Sequence, residues 1–355
     1  MNSLRLAPTA HSLPLRLALG PGVQRVGVLS EVPGLLREFG VRPAAVLRRA
    51  GFAADALAER ENRVPYAAIG PLLAECVRAT ACAHFGLMVG SRSRLEHSGL
   101  AGEIAGSCAN VGAGLQFFTA SHWLNSSGGT AYFAREGGLS AFGYAVFEPN
   151  INAGLDQIHD LIAASGAQIL RALAAQEQWA PHEVHLARAR PTQAEPYRSF
   201  FRCAVRFDAE ATRVVFPTSF ERTPVPGGDP TRHRVLVARL LALGGEAMLP
   251  RILRTLHVAL VFGLASGDEV AAAMGLSRRT LNRRLAEGGL TFQRALDTVR
   301  FETARSLLAQ TKLTVSEIAA ALAYSDQRPF VRSFRRWSGQ SPSAWRQAHA
   351  PSRPG

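Results

Sequence analysis

The sequence predicts an α+β domain followed by an all-α domain with two helix-turn-helix units joined by a linker helix. Helical and strand-like periodicities alternate between residues 30 and 222, whereas every periodic segment beyond residue 230 is helical. A proline- and glycine-rich stretch, residues 223–230, separates the two parts. The helical part contains one sequence unit twice, which indicates a duplicated motif.

The chain length supports this division into two domains. Its 355 residues exceed one ordinary core, and 47% hydrophobic with 19% charged residues is typical of a folded protein. We expect an irregular N-terminal segment at residues 1–29, a first domain at 30–222, a linker region at 223–247 and a second domain at 248–349.

The basic charge is concentrated in the second domain. The net charge is +13, and residues 230–349 contain eighteen Arg and Lys against eight Asp and Glu, a net +10. This balance favours a polyanionic partner. However, Lys312 is the only lysine in the chain, so arginine abundance alone is weak evidence.

The expected location is the cytoplasm. The four cysteines show no CxxC spacing, which indicates free thiols in a reducing compartment. The N-terminal apolar stretch contains Arg16 and lacks a convincing cleavage site. No charge occurs between Glu103 and Arg135, but the polar residues and glycines there favour buried structure over a membrane span.

The first domain shows alternating helix and strand patterns. Helical patterns cover 32–49, 65–79, 153–175 and 194–202. Strand patterns cover 130–134, 139–147, 183–187, 204–207 and 213–216, and residues 136–138 supply a hairpin turn. Mostly antiparallel strands mixed with helices indicate an α+β fold.

The duplicated unit is the most informative feature of the sequence. Asp268 to Ser277 matches Ser316 to Ser325 by residue type, 48 positions apart. Each copy predicts a capped helix, a tight turn and a serine placed to cap the next helix. The predicted capping boxes are Ser266 with Glu269 and Thr314 with Glu317, the turns are Met274-Gly275-Leu276 and Leu322-Ala323-Tyr324, and the caps are Ser277 and Ser325.

The helix after each turn has one apolar and one polar face. Leu281 with Leu285, and Phe330 with Phe334, lie four residues apart and are expected to face inward. The outward candidates are Arg278, Arg279, Asn282 and Arg283 in the first unit, and Gln327, Arg328 and Arg332 in the second. Such side chains can hydrogen-bond base edges in a major groove, whereas a single arginine is more often part of a solvated face.

A helix of roughly five turns is predicted between the two units from Phe292, Leu296, Val299, Leu307 and Leu308. It would fix the separation of the two recognition helices. If both enter the major groove on one side of the duplex, they should lie about 10 base pairs, or ~34 Å, apart.

Residues 265–347 closely resemble the DNA-binding domain of the AraC/XylS family. The resemblance lies in Val270 to Leu285, Arg300 to Leu308 and Ile318 to Trp345. It implies base-reading roles for Arg279, Asn282, Arg283, Gln327, Arg328 and Arg332. Two departures from the family pattern are Ala323, where the family commonly has glycine, and Pro329 in the second recognition helix.

Residues 30–220 resemble, more loosely, the arabinose-binding-type sensor domain of the same family. The resemblance lies in Val64 to Tyr66, His84 to Leu87, Phe200 to Asp208, Phe216 and residues 224–230. It implies a small-molecule effector without identifying it. The expected partners are therefore promoter double-stranded DNA and an effector, with RNA polymerase and a second copy of the chain as further partners.

Signatures of enzyme chemistry are absent from the sequence. No G-x-S-x-G, H-E-x-x-H or phosphate-binding loop occurs, and no cofactor is expected. His182, His185 and Cys203 fit no standard metal-site spacing, so ordinary structural roles are expected. The sequence does not decide between a surface position and a pocket position for the remaining polar candidates, which are His159, Asp160, Arg188 and Arg190.

Three functions compete. The favoured one is an effector-responsive activator of transcription, in which the effector changes how the two units bind DNA. The alternative is a DNA-repair enzyme, such as an alkyltransferase, fused to the same module; it needs an activated cysteine, and none of the four has a recognisable context. The third is a DNA-compacting protein without sequence preference.

Overall fold

The computed structural model describes residues 22–136, 138–146, 148, 151, 153–209, 211–242, 248–261, 266–273, 276–310 and 313–349. The strands are β1 Val23–Arg25, β2 Arg63–Pro65, β3 Gly129–Glu136, β4 Leu139–Val146, β5 Glu183–His185, β6 Ala204–Arg206 and β7 Thr212–Pro217. The helices of the first domain are α1 Val32–Glu38, α2 Pro43–Arg49, α3 Ile69–Thr80, α4 Phe85–Ser91, α5 Gly99–Gly106, α6 Val111–Ser121, α7 Leu155–Ala174 and α8 Glu195–Phe201.

A five-stranded sheet organises the first domain. Its strand order is β3-β4-β7-β5-β6, antiparallel except for the parallel pair β5–β6. The hairpin expected around residues 136–138 is confirmed, with Glu136 opposite Leu139. The other three predicted strands correspond to β5, β6 and β7. Residues 137 and 147, which fall in the predicted hairpin, lie outside the described part of the chain.

The single helical run expected over residues 32–49 is two helices. Gly40 adopts a φ of +70°, a left-handed conformation that ends α1, and Pro43 begins α2. The pattern predicted over residues 65–79 also begins later, because Pro65 belongs to β2 and α3 starts at Ile69. The irregular segment predicted at residues 1–29 is wrong for residues 23–25, which form β1 by pairing with β2, and its residues 1–21 lie outside the described part of the chain.

The sheet is covered on both faces. Helix α7 packs on one face, where Phe142 and Val214 join the buried core of the first domain. The opposite face carries Tyr132, whose ring lies over Gly143 on the neighbouring strand; a Cβ at Gly143 would lie 2.3 Å from the ring's Cζ. Glycine is therefore required there, and we call this second face the outer face of the sheet.

The second domain consists of α10 Met248–Val261, α11 Gly267–Ala273, α12 Arg278–Glu287, α13 Phe292–Gln310, α14 Val315–Ala321, α15 Gln327–Ser338 and α16 Pro342–His349. They surround one apolar cluster that includes Leu281, Leu285, Phe330 and Phe334. Helices α11–α12 and α14–α15 are the two predicted helix-turn-helix units, and α13 is the predicted helix between them. Residues 274–275 of the first turn lie outside the described residues.

Both predicted capping boxes are present. The Ser266 amide donates to Glu269 Oε2 at 3.0 Å, and the Glu269 amide donates back to Ser266 Oγ at 3.3 Å. The equivalent distances for Thr314 and Glu317 are 2.7 and 3.1 Å. The two short helices therefore begin in the same way.

The caps of the two recognition helices differ. Ser277 caps α12 as predicted, accepting from the Thr280 amide at 3.1 Å. The prediction that Ser325 caps α15 is wrong, because Asp326 is the N-cap and accepts from the Arg328 amide at 2.7 Å. The second unit has one more residue before its recognition helix, and the aspartate at that position is an equally good cap.

Residues 230–242 form a further helix, α9 Pro230–Ala242, within the predicted linker region. Leu236 and Leu240 form a small apolar cluster with Ile104 of α5. His233 Nδ1 lies 3.0 Å from Ser107 Oγ and its ring packs on Phe117. Helix α9 is therefore held against the first domain.

The stretch without charges, residues 104–134, is largely buried in α5, α6 and β3, which confirms the prediction of buried structure. Within the described residues, no single helix is long and apolar enough to cross a membrane; Tyr66–Thr80 and Phe85–Ser91 pass that test only as a pair bent by 108°. 

The turn between α14 and α15 suggests a stabilising substitution. Ala323 has a φ of +56°, a left-handed conformation that costs a residue with a Cβ about 1 kcal/mol. Ala323→Gly should therefore stabilise the second unit by roughly 0.5–1 kcal/mol. Native-state hydrogen exchange of the amides in α14 and α15 measures the change locally.

The matched control is Ala320→Gly in α14. Ala320 is exposed and helical, so glycine should destabilise the same unit by roughly 1 kcal/mol. Protection that falls equally in both variants would contradict strain at Ala323.

Candidate nucleic-acid interface

The first recognition helix, α12, is fixed by two leucines. Leu281 and Leu285 are fully buried in the core of the second domain. Because a helix places residues four apart on one face, the opposite face is turned to solvent. Arg279, Asn282 and Arg283 are exposed on it. The polar face expected from the sequence is thus formed.

Arg278 occupies a different environment from the other candidates. It is half-buried, and its guanidinium lies 4.4 Å from the centre of the Phe292 ring. The same group lies where a Cβ of Gly267 would be. The Arg278 side chain is therefore packed between α11 and α13, and it would have to leave this site to contact a base.

The second recognition helix, α15, has the same organisation with larger anchors. Phe330 and Phe334 are fully buried, and Phe334 contacts the rings of Phe301 and Trp345 at 5.5 and 6.2 Å. Pro329 lies in the first turn, where a proline breaks no hydrogen bond of the helix. The predicted Gln327, Arg328 and Arg332 are all exposed.

Several of the exposed cations are free of carboxylates. Among the described residues, Arg279, Arg328 and Arg332 have no carboxylate within 4.0 Å, whereas Arg283 has Glu287 at 3.7 Å. Arg336, also exposed on α15, is paired with Asp297 at 2.8 Å. These guanidinium groups, one on α12 and two on α15, suit both base edges and phosphates.

The long helix α13, 19 residues from Phe292 to Gln310, connects the two units and confirms the predicted linker helix. Its Ala295, Leu296, Val299 and Leu307 are buried in the cluster that also holds both recognition helices. One shared core therefore supports both units. The separation of ~34 Å stays a prediction.

The second capping box has a partner that the sequence does not reveal. Glu317 is only 8% exposed, and its Oε1 accepts from Nη1 of Arg213 on β7, in the first domain. Burial opposes ionisation of Glu317, but the Thr314 amide and Arg213 outweigh it and lower the pKa of the carboxyl. The corresponding Glu269 of the first unit is exposed.

This contact belongs to a broader interface between α14 and the outer face of the sheet. Helix α14 packs against β3 and α13 against β4. Tyr132 and Ala211 of the first domain belong to the apolar cluster of the second. The interface therefore joins the second helix-turn-helix unit to the first domain by apolar packing as well as by an ion pair.

The histidines considered as metal ligands have other partners or lie apart. His185 Nε2 is 2.8 Å from Glu183, and its Nδ1 accepts from Arg213 Nε at 3.0 Å. Burial lowers the pKa of His185 although Glu183 opposes the shift. Among the described residues, no group of three or more potential metal ligands occurs. His185 instead helps to position the arginine that reaches Glu317.

The remaining polar candidates divide into three buried groups and one exposed group. Asp160 is fully buried and accepts from Tyr197 Oη at 2.7 Å and from Arg188. His159 Nδ1 lies 2.8 Å from Thr212 Oγ1. Arg190 is exposed. His159 therefore links α7 to β7 of the sheet, whereas Asp160 links α7 to Tyr197 of α8 and to Arg188 in the segment after β5.

Two helix-turn-helix units with polar recognition faces, joined to a separate α+β domain, define the class of ligand-sensing, DNA-binding regulators. Residues 40–225, more than half of the chain, match the family described as the arabinose-binding domain of AraC transcription regulator, N-terminal. Residues 270–348 match a helix-turn-helix domain. The chain belongs to the AraC family of transcriptional regulators.

The similarity to known regulators extends over most of the chain. The HTH-type transcriptional regulator VirS of Mycobacterium tuberculosis is 28% identical over 317 residues, which are 88% of this chain and 93% of VirS. The ornithine utilization regulator of Pseudomonas aeruginosa is 24% identical over 319 residues, with the same coverage. The crystal structure of CdpR from P. aeruginosa is 24% identical, with a TM-score of 0.42 over 74% of this chain and 86% of CdpR.

The two capping boxes allow a matched test of the interdomain contact. Glutamine also completes a capping box, so Glu317→Gln should keep the cap and lose the charge that binds Arg213. We expect amide exchange in α14 of the full chain to become about tenfold faster. Hydrogen exchange followed by mass spectrometry measures it.

Glu269→Gln is the control. Because Glu269 is exposed, its substitution should change exchange in α11 by less than about twofold. Equal effects of the two substitutions on their own helices would contradict a role of Arg213 in holding α14.

Proposed function

We propose that this regulator is an effector-responsive activator that binds two successive major-groove segments of promoter DNA with one chain. The observation that carries this proposal is the pair of capped helix-turn-helix units with exposed polar recognition faces on one core. The proposed base-reading residues are Arg279, Asn282, Arg283, Gln327, Arg328 and Arg332.

Arg278 has a separate role in this proposal. Its stacking on Phe292 supports a structural function in the absence of DNA. To reach a phosphate or a base, the Arg278 guanidinium would have to leave the Phe292 ring and lose that contact. We therefore propose that Arg278 joins the base-reading residues only when DNA is bound.

The effector response is proposed to run through the interface between the sheet and α14. A ligand can shift DNA affinity only if it favours one arrangement of the domains over another. Arg213 and Tyr132 lie on the strands that form the first domain's core, and both contact the second unit. A small shift of these strands would change how α15 is presented to DNA.

Further partners follow from the activator role. We propose RNA polymerase as the protein contacted at the promoter and a homodimer as the form that occupies paired sites. The protein would act in the cytoplasm, where its four thiols are free.

The repair-enzyme alternative needs a reactive cysteine, and the thiols favour the regulator instead. Burial raises the pKa of Cys76 and Cys108 to about 12 and that of Cys203 to about 11, and it also raises the pKa of Cys82. A thiolate is the nucleophile in alkyl transfer, and these environments disfavour it. The relatives named above are also regulators, which supports a non-enzymatic function.

Substitution of one arginine in each recognition helix tests the two-segment proposal. Arg283→Ala and Arg332→Ala should each relax base preference in a different half of the binding site, at a cost of roughly 1–3 kcal/mol per lost bidentate contact. Binding-site selection from random DNA at fixed salt, repeated with each variant, gives the position and size of the change.

Arg336→Ala is the control for charge, since Arg336 is exposed on α15 but paired with Asp297. It should leave base preference unchanged. A uniform loss of affinity over all sequences for Arg283→Ala or Arg332→Ala would show a phosphate contact and refute base reading at that residue.

A further inference from the structure

His185 lies on the outer face of the sheet, next to the arginine that contacts the second domain. It ends β5, and its neighbours across the sheet are Arg213 of β7 and Arg206 of β6. Val184 and Val214 lie in the core of the first domain, so the residues beside them along each strand point to the outer face. His185 and Arg213 are therefore side by side on the face that α14 contacts.

Both ring nitrogens of His185 have a partner. Nδ1 accepts from Arg213 Nε at 3.0 Å, and Nε2 lies 2.8 Å from Glu183 Oε1. Because an arginine Nε can only donate, Nδ1 carries no proton and the proton of the ring is on Nε2. Nε2 therefore donates to Glu183, and the two contacts together hold His185 in one tautomer of its neutral form.

The Arg213 guanidinium connects this histidine to the second domain. Its Nε donates to His185, and its Nη1 donates to Oε1 of Glu317 in the capping box of α14. A guanidinium is planar and rigid, so one orientation of the group makes both bonds. The neutral imidazole therefore holds Arg213 in the orientation in which it binds Glu317.

A protonated His185 would not fit this arrangement. The second proton can be added only at Nδ1, where it would face the N–H of Arg213 Nε, so that two donors would meet. The imidazolium would also repel the guanidinium, whereas Glu183 would attract it. The ring would therefore stay on Glu183, and Arg213 would have to turn away from His185 and from Glu317.

The other titratable groups around His185 keep their charge state between about pH 5.5 and 7.5. Burial opposes ionisation of Glu183, but His185 and Arg206 outweigh it and lower the pKa of the carboxyl. The pKa of Glu317 is lowered as well, although burial opposes it. Tyr132 of β3 stays neutral, because burial raises its pKa, and guanidinium groups stay charged throughout. His185 is therefore the group in this cluster that changes charge.

We infer that His185 is a pH-sensitive positioning residue, whose neutral form holds the second helix-turn-helix unit on the first domain and whose protonation releases α14. This inference goes beyond the proposed function, because the proton is a second input besides the effector. It gives the regulator a way to respond to acid through the same contact between Arg213 and Glu317.

The release should occur on the acid side of neutrality. Burial is the largest cause of the lowered pKa of His185, Arg213 and Arg206 add to it, and Glu183 opposes the shift. When Arg213 turns away, its effect is lost and the pKa rises towards the ordinary value of about 6.5. The contribution of His185 to the contact is therefore complete above about pH 6.5 and is lost progressively as the pH falls below that value.

Hydrogen exchange of the α14 amides in the full chain measures the release. Each rate is divided by the intrinsic exchange rate at the same pH, so that only protection is compared between about pH 7.5 and about pH 5.5. The lower value is about one unit below the ordinary pKa of histidine, so protection of α14 should fall about threefold to tenfold. Protection of α11, where Glu269 is exposed, should change by less than about twofold.

His185→Asn tests the role of the proton. Asparagine can place Oδ1 near the position of Nδ1, so it keeps an acceptor for Arg213 and does not titrate in this range. Protection of α14 should stay within about twofold of the native value at both pH values. The matched control is His182→Asn, which removes an exposed histidine just before β5 and should keep the pH response of the native chain.

His185→Ala tests the role of the acceptor. It leaves Arg213 and Glu317 in place but removes Nδ1, so protection of α14 should already be about threefold lower at about pH 7.5 and should respond little to acid. The inference is overturned if the native chain protects α14 equally at both pH values, if His185→Asn loses protection in acid as the native chain does, or if His185→Ala behaves as the native chain. Because the measurement contains neither DNA nor effector, its failure would leave the proposed function standing.

Discussion

The placement of the second recognition helix depends on the two interactions of the Glu317 carboxylate. A seven-residue helix is not stable by itself, so α14 needs the cap that Glu317 and Thr314 form. The same carboxylate binds Arg213 of the first domain. Because α15 follows α14 after a tight turn, the exposed arginines of α15 are positioned by a contact that involves both domains.

The two faces of the sheet in the first domain lie in different environments. Alternation along β7 places Val214 in the core of the first domain and Arg213 on the outer face beside Glu317. In the proposed effector response, a change on one face would reach the other through a single layer of backbone. Within the part of the chain that the structure describes, Glu269 of the first unit is exposed and has no equivalent contact, so the two DNA-binding units differ in how they are joined to the first domain.

Local pattern was sufficient to predict the duplicated units and most of the polar recognition faces. Capping boxes and helix faces involve residues three or four apart, and for Glu317 and Leu281 those relations decide the structure. The contact between Glu317 and Arg213 joins residues 104 apart, and no sequence signal announces it. The environment of Arg278 is also not predictable from the sequence, because its stacking on Phe292 depends on the side-chain rotamer, which helical spacing does not determine.

One chain of this regulator is proposed to read two adjacent major-groove segments. Selection of bound fragments from random DNA by the full chain, followed by sequencing, tests it most directly. The expected result is two blocks of base preference whose centres lie about 10 base pairs apart. A single block of preferred bases, or enrichment without any preferred sequence, would contradict it.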